Sequence, residues 1–600
     1  MDGRDVAAAA AAHRAGDRGR AHDLCVQVLA ADPQAADALD LLGCLAQEAG
    51  DLPAARRSIE ASIRARPAVA ATHYNLGVVC ALLDDVAGAI AAYRAAVDLC
   101  PGFAEAHANL GNVYRRARRS GDALRAYAAA IGAQPDFAPA YVNLATVLIE
   151  LERYDDAIRA LETAVRIAPD LPEAHANLGQ AYRRSGRFRA ATIASARALE
   201  RRPGYCEAYL NLALAACDLD DLPLALAAND EALARHPTSA DVHCNRARVF
   251  FGCGRHAEAV AAAEAAIALR PHYAQAHVNL ALALLALGDF ARGFDEYVWM
   301  WRVPTRRAQY PYLDRVPLWN GEPFAGRRLL ITRDQGFGDA IQMARYFPAV
   351  KALGGEVIVE ALPPLLSLLR GHDGIDELRA AADAPVIDPA IDLHVPLLGL
   401  PRALRTTADA IPAPIPYLDA PAELVARWRP RMARPGRLRV GLVWSGNAGH
   451  ATDHHRSLPF EELAPLAALA GIAWFALDKG PQAASRSCGA LVLEPLGPQI
   501  RDFGDTAAIL TQLDLVIAVD TAVAHLAGAL GRPVWTLLAF APDWRWRTGR
   551  SDSPWYPSMR LVRQPAPGAW APVIAEVGAH LRDVQLAGGV SEWRSRSLRD

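Results

Sequence analysis

Two hydrophobic rhythms divide this chain. Up to about residue 300 the pattern restarts every 34 residues: prolines stand at 33, 67, 101, 135, 169, 203, 237 and 271, and asparagines at 75, 109, 143, 177, 211, 245 and 279. A phase held for so long predicts a repeated two-helix unit. The unit with Ala106-His-Ala-Asn-Leu-Gly111, Tyr114, Ala123, Tyr127, Ala130 and Pro135 shows how it works. Gly111, Ala123 and Ala130 let two helices approach, Tyr114 and Tyr127 fill the space between them, and Pro135 ends the second helix. One unit cannot bury its own apolar face, so the units are expected to stack into an α-solenoid with a concave groove. A weaker unit precedes Pro33, and a modified last one runs from His272 to Pro304.

The rhythm then changes. After the aromatic run Phe294-Asp-Glu-Tyr-Val-Trp-Met-Trp301 comes a Pro-rich connector from Arg306 to Pro323, expected to make a semi-rigid joint. Short apolar runs follow at 328–332, 356–360 and 392–395, then within 438–446 and at 472–477, 491–493, 515–519 and 534–538, with helical stretches between them. Buried parallel strands with crossover helices read this way. The Pro-rich Ile411-Pro-Ala-Pro-Ile-Pro416 looks like a boundary between two such sets. The expected organisation is a repeat array over 1–305 and two Rossmann-like α/β lobes over 306–430 and 431–600.

Polar residues gather where these strands end, which is where open α/β sheets bind ligands. Asp520-Thr521 break the pattern after 515–519, and the helix that follows presents the amides of Thr521, Ala522 and Val523, a site for a phosphate. His525 lies four residues after Thr521 on the same helical face. After 328–332, Gln335-Gly-Phe-Gly-Asp339 makes a tight turn that delivers Asp339 at the next helix. Each feature also has an ordinary reading, as a helix cap at Asp339 or a core histidine at His525.

Composition narrows the classes. With 52% hydrophobic residues the chain can bury large cores, and a formal charge of −3 excludes a generally basic nucleic-acid binder. Eight of the nine cysteines lie in the first half as singletons without metal-ligand spacing, which suits a reducing compartment. No apolar run approaches a bilayer span, and the alanine run 7–12 is too short for a secretory core. A cytoplasmic protein without a transmembrane segment is expected. His450, Asp453, His454 and His455 sit in a polar loop without further ligand motif, so no metal is expected there. Trp544-Arg-Trp-Arg547 and Trp555 read as packing near the strand ends rather than as stacking on nucleic acid.

The 34-residue units are identified as tetratricopeptide (TPR) repeats. Asn75, Asn109, Asn143, Asn177, Asn211, Asn245 and Asn279 occupy the place that resembles the inner-face asparagines of O-GlcNAc transferase arrays, where an asparagine ladder holds an extended peptide. An amide offers one acceptor and two donors, which match a peptide backbone without reading its side chains. The alternative is that these amides bond within the array. Arg115-Arg116 and Arg183-Arg184 add either a preference for acidic segments or a solvated face.

Four stretches of the second half resemble the glycosyltransferases that include the ADP-heptose:lipopolysaccharide heptosyltransferases, in their TPR-linked bacterial branch. They are Asp334-Gln-Gly-Phe-Gly-Asp339 with Ala344-Arg-Tyr346; Gly441-Leu-Val-Trp-Ser-Gly-Asn447 with Arg456-Ser457; Leu477-Asp-Lys-Gly480; and Asp520-Thr521 with His525 and Gly531-Arg-Pro533. Bacterial flagellin glycosyltransferases are similar in combining the two parts. The resemblance implies a GT-B architecture and inverting, metal-independent transfer from a nucleotide sugar without a cofactor. Asp339 would be the base, and Ser445, Asn447, Arg456, Lys479, Asp520, Thr521, Ala522 and His525 would hold the donor. Asp334 and Asp478 depart from the Glu and Gln usual in this branch. The acceptor expected first is a protein held by the repeats. A lipopolysaccharide or other glycan, or a non-catalytic adaptor, are the alternatives.

Overall fold

The computed structural model describes residues 4–590, apart from 335, 383–386, 413–414, 448, 450–452, 481 and the side chains of residues 4 and 308. It packs as two compact units, Met1–Ala215 and Ala216–Asp600.

The first unit is a helical solenoid. Its helices come in antiparallel pairs, among them Ala70–Leu82 with Val86–Leu99, Ala104–Arg116 with Ser120–Ala133, and Pro172–Arg184 with Phe188–Arg201. The weak unit before Pro33 is also a pair, Arg4–Arg14 with Arg18–Ala31. Glycine is needed where the pairs cross: a Cβ on Gly111 would lie 2.5 Å from Tyr127 Cε1, and one on Gly77 would lie 2.6 Å from the Tyr93 ring. The proline period has a hydrogen-bonded counterpart. His73, His107 and His175 donate Nε2–H, and Tyr141 and Tyr209 their hydroxyl, to the carbonyl of the proline six residues earlier, at 2.8–3.2 Å. That bond satisfies a carbonyl left open at a helix end.

The second unit holds the last repeats and both sheets. In the first sheet β1 (Arg328–Thr332) lies between β2 (Glu356–Ala361) and β4 (Leu393–Pro396), with β3 (Glu377–Ala380) outside β2. All its pairings are parallel. The second sheet comprises β5 (Leu438–Val443), β6 (Ile472–Ala476), β7 (Ser487–Cys488), β8 (Leu491–Pro495), β9 (Leu515–Val519), β10 (Val534–Leu538) and β11 (Met559–Arg563). Its order is β11-β10-β9-β5-β6-β8-β7, parallel except for the short β7–β8 pair. In both sheets the chain winds out on one side of its first strand and then crosses to the other. The strand ends beside β1 and β5 are therefore topological switch points, the crevices in which doubly wound sheets bind ligands.

Sequence periodicity missed β3, β7 and β11, which have four, two and five residues. The helix that follows the Asp339 turn is broken. Phe337–Met343 gives way to a tight turn, Ala344–Tyr346, and then to Phe347–Lys351. Pro348 has no N–H to continue the ladder, and its ring crowds the preceding turn.

One core joins the parts of this unit. Phe290, Phe294, Tyr297 and Trp301 of the last repeat and the turn after it are buried with Leu329 and Ile331 of β1 and with Val516 and Ala518 of β9. The aromatic run supplies the joint: Trp299 stacks on His277 with ring centres 4.0 Å apart, and Phe294 meets Trp544 edge-on at 5.7 Å. Each such pair contributes about 0.5–1.5 kcal/mol beyond its area. The Trp570–Ala587 helix closes the other face of the second sheet over Trp444, Trp474 and Trp535.

Candidate functional site

Four connections meet at the two switch points: those after β1, β5, β9 and β10. The turn after β1 leads into the Phe337–Met343 helix, and Asp339 stands in its first turn. β9 leads through Asp520 and Thr521 into the Ala522–Ala529 helix. These two helices start face to face. A Cβ on Gly338 would lie 2.9 Å from His525 Cδ2 and 3.7 Å from Ala522 Cα, so only glycine admits this approach. The contact brings Asp339 of one sheet beside Thr521, Ala522 and His525 of the other.

The carboxylate of Asp339 is held by Arg545, a residue that sequence reasoning had assigned only to packing. Arg545 is 7% exposed. It donates to Asp339 Oδ1 at 2.5 Å, to Gln342 Oε1 at 2.6 Å and to Asp543 Oδ1 at 2.8 Å. Burial opposes its charge, but Asp543 and Asp339 outweigh that cost and hold it protonated. The one signal in the sequence was an acid and a base, Asp543 and Arg545, in the connection that follows a buried strand.

Asp520 continues this electrostatic chain. Burial and then the neighbouring Asp543 push its carboxyl up to about 6, while Arg456 and Arg545 pull the other way. His525 is buried and driven well below its usual range, first by burial and then by Arg545, Arg345 and Arg456. It is therefore neutral at pH 7. Its Nδ1 lies 2.9 Å from the Tyr556 hydroxyl, and its ring stacks on Trp546 at 5.0 Å. Among the buried polar atoms here that lack a partner among the described residues are Thr521 Oγ1 and Gln342 Nε2, both out of contact with solvent. Thr521 is the N-cap residue of the Ala522–Ala529 helix, yet its hydroxyl makes no capping bond. Buried hydroxyls and amides are rarely left unpaired, so a ligand with matching groups has partners waiting.

The other donor-site candidates divide. Arg456 lies on the connection after β5, where its Nε donates to Asp453 Oδ1 at 2.9 Å. Ser445 donates its hydroxyl to Asp478 at 2.8 Å. Asn447 is exposed and accepts from the Gly449 amide. Lys479 donates to the Ile500 carbonyl at 2.9 Å.

The two departures from the resembling branch are both buried and fully engaged. Asp478 accepts from the amides of Trp444, Ser445 and Gly480, and so shapes the turn after β5. Asp334 accepts from the Tyr310 hydroxyl and the Leu398 amide, each at 2.8 Å, and burial pushes it up to about 6. Both organise the site's walls.

In the loop after Asn447, His450 lies outside the described residues. Asp453 is bonded to Arg456 and Ser457, His454 to the Asp218 carbonyl and His455 to Asp220. No group of three metal-ligating side chains is present among the described residues. No helix among them is long and apolar enough to cross a membrane.

Several repeat asparagines bond within their own array. Asn109 donates to the Tyr74 hydroxyl at 3.0 Å, Asn177 to Thr146 Oγ1 at 3.3 Å and Asn211 to the Ala176 carbonyl at 3.2 Å. Asn75 reaches Asp40 at 3.5 Å. In the second unit Asn279 donates to the Cys244 carbonyl at 2.9 Å, and Asn245 accepts from Asn229 at 3.0 Å. Asn245 and Asn279 are buried, whereas Asn75, Asn109, Asn143, Asn177 and Asn211 keep part of their surface in solvent.

Comparison with known proteins follows the same division. The tetratricopeptide repeat family matches residues 41–102, 176–240 and 244–298, and also 136–204. Glycosyltransferase family 9 (heptosyltransferase) matches 499–569, the stretch that carries Asp520, Thr521, Ala522, His525, Asp543 and Arg545. Protein FlbA of Caulobacter vibrioides is 30% identical over 323 residues, which cover 50% of this chain and 54% of FlbA. The chain thus spans about half the length of the curated relative it matches. A tetratricopeptide repeat protein from Parabacteroides merdae is 16% identical with a TM-score of 0.37, covering 42% of this chain and 99% of that one. The pilF protein of Pseudomonas aeruginosa is 18% identical with a TM-score of 0.32, covering 35% of this chain and 96% of that one.

Proposed function

From a chain that carries tetratricopeptide repeats and a family 9-like glycosyltransferase domain, we propose a glycosyltransferase that moves a sugar from a nucleotide donor to a hydroxyl of a protein held by the repeats. The observation that carries this reading is the meeting of Asp339 with the start of the Ala522–Ala529 helix across the Gly338 contact. A base faces a phosphate-binding helix start, as inverting transfer requires. Asp339 takes the acceptor's proton as the hydroxyl attacks the anomeric carbon. The nucleotide leaves on the opposite side, and its growing charge meets the Thr521 and Ala522 amides and Arg456. Asp520 and neutral His525 are placed to bond sugar or ribose hydroxyls, with the unpaired Thr521 hydroxyl beside them. These charged and dipolar groups can act without a metal, in a cytoplasmic enzyme with GT-B architecture that needs no cofactor. Flagellin, or another surface protein of the bacterium, fits the acceptor role.

A second reading draws on the asparagines, whose amides donate within their own array. In it the repeats recruit a partner protein, and the acceptor is a lipopolysaccharide or another glycan.

Thermal unfolding against a panel of UDP-, GDP-, ADP- and CMP-sugars tests the donor. The true donor raises Tm by mass action and is hydrolysed slowly in the absence of acceptor. Hydrolysis and transfer are expected to survive EDTA. A strict need for Mg²⁺ or Mn²⁺, restored on adding the ion back, would overturn the metal-free part. A panel in which no nucleotide sugar binds would leave the adaptor reading.

A further inference from the structure

We propose that Arg545 is a positioning residue for Asp339, and that the last helix pair of the repeats, Ala274–Leu287 and Phe290–Tyr297, sets where Arg545 stands. The proposal rests on reading Asp339 as the base.

A buried guanidinium is tolerated only where its N–H groups find acceptors. Those of Arg545 are Asp339 and Gln342, three residues apart on the Phe337–Met343 helix, and Asp543 on its own loop. The guanidinium is planar and rigid, so the loop's position dictates the direction of the Asp339 carboxylate. That loop carries a single short turn, Trp544–Trp546, between β10 and β11. Its support comes from the last repeat. Trp544 meets Phe290 and Phe294 edge-on at 6.4 and 5.7 Å, and Phe290 also stacks on Trp555 at 5.5 Å.

The next residue, Arg547, sits at φ +50°, a conformation that side chains with a Cβ rarely adopt. Its guanidinium donates to the Leu287 carbonyl at 3.4 Å, at the end of the Ala274–Leu287 helix. There Gly288, at φ +93°, leaves it room, because a Cβ on Gly288 would overlap that guanidinium. Backbone strain of this kind persists only where the surroundings over-determine it. The last repeat is therefore part of the scaffold of the site.

The charged and titratable groups facing Asp339 are Arg545 and Asp543 from the loop, Asp334 from the turn after β1, Tyr297 from the last repeat, and His525 beside Gly338. Arg545 is a cation bonded to it. Removing that charge makes the carboxylate easier to protonate.

The test uses the full chain, with the nucleotide sugar that raises Tm most as donor, water as acceptor and released nucleotide as readout across the acid and neutral range. Arg545→Gln is expected to lower kcat on the order of 10²-fold. The donor KM should stay within a few-fold, and the acid limb of kcat/KM should move to higher pH. Arg545→Lys, which returns the charge without the fork, should bring the limb back but only part of the rate. Gly288→Ala, outside the cleft, should lower kcat several-fold at unchanged KM.

An unmoved acid limb in Arg545→Gln, or a loss confined to KM, overturns the positioning role. Wild-type kcat in Gly288→Ala overturns the role of the last repeat. Asp339→Asn separates the premises: if it stays active, the base reading itself fails, whereas if it is inactive and Arg545→Gln behaves as wild type, only the positioning role fails. If Arg545→Gln does not fold, the partial rate and restored limb of Arg545→Lys carry the same decision. Should no donor be turned over, a thermal-stability cycle of Asp339→Asn and Arg545→Gln decides. Coupled effects support the pair, and additive effects overturn it.

Discussion

Three carboxylates of this cleft do different work because their surroundings differ. Asp339 is bonded to a buried guanidinium and is the base of the proposed transfer. Asp339→Asn keeps the shape and deletes the base, so transfer should fall ~10²–10⁴-fold while donor binding persists. Transfer within a few-fold of wild type, measured with the donor found by thermal shift, would remove Asp339 from the chemistry. Asp520 is instead lifted to about 6 by burial and by Asp543. Its folded form thus holds a proton more tightly than an unfolded aspartate, whose pKa is about 3.9. It favours folding most below about pH 4, and that contribution is lost as pH rises through about 6. Asp520→Asn should therefore raise Tm at neutral pH and change it little near pH 4, while weakening donor binding. A Tm gain equal at both pH values would contradict the shift. Asp478 bonds three backbone amides and the Ser445 hydroxyl, and so shapes the turn after β5.

Among the elements, the two short helices that start face to face matter most. Phe337–Met343 and Ala522–Ala529 belong to different sheets and meet at Gly338, where His525 leaves no room for a side chain. Gly338→Ala should push them apart, at about 1–3 kcal/mol of stability, the usual range for overpacking. Donor affinity should fall along with it, because His525 and the Thr521 amide move together. Thermal unfolding with and without donor checks both, and unchanged donor affinity would place the donor elsewhere. The sheets behind these helices follow one winding rule, and each leaves its crevice beside its first strand, which is why residues from four separate connections share one cleft.

Taken as a whole, the molecule does not divide where its repeats end. The second compact unit begins at Ala216, and a single core runs from Phe290 of the last repeat to both sheets. The asparagines sort along the same line: Asn245 and Asn279 are buried, and their bonds hold the fold. The ladder is therefore best tested in the first unit. Replacing Asn109, Asn143, Asn177 and Asn211 together by Ala should weaken protein-acceptor binding, at about 0.5–1.5 kcal/mol for each bond lost. Donor hydrolysis should not change. Circular dichroism shows whether the array still folds, because three of these amides also bond within it. A folded variant that glycosylates its protein acceptor normally would make the asparagines scaffold alone.

Local physics was readable in the chain. A helix pair, a glycine or alanine at the crossing and a proline stop recur every 34 residues because each repeat solves the same short-range problem. Likewise, β-branched runs followed by Asp520-Thr521 or Gly336-Phe-Gly-Asp339 announce strand ends with polar cargo. What no local pattern carries is which distant groups meet. Arg545 reaches Asp339 across 206 residues, so its sequence neighbours, Trp544 and Trp546, suggested only packing. Asp334 and Asp478 show in the sequence only as departures from the resembling branch, and their backbone partners appear only in the fold. The same limit hid the junction, since Phe290 and Phe294 have the spacing of any repeat helix and only the packed core shows that they support the cleft. Spacing along a chain encodes periodic faces, but pairing energies between buried charges and aromatic rings depend on distances that exist only after the sheets and repeats have closed on one another.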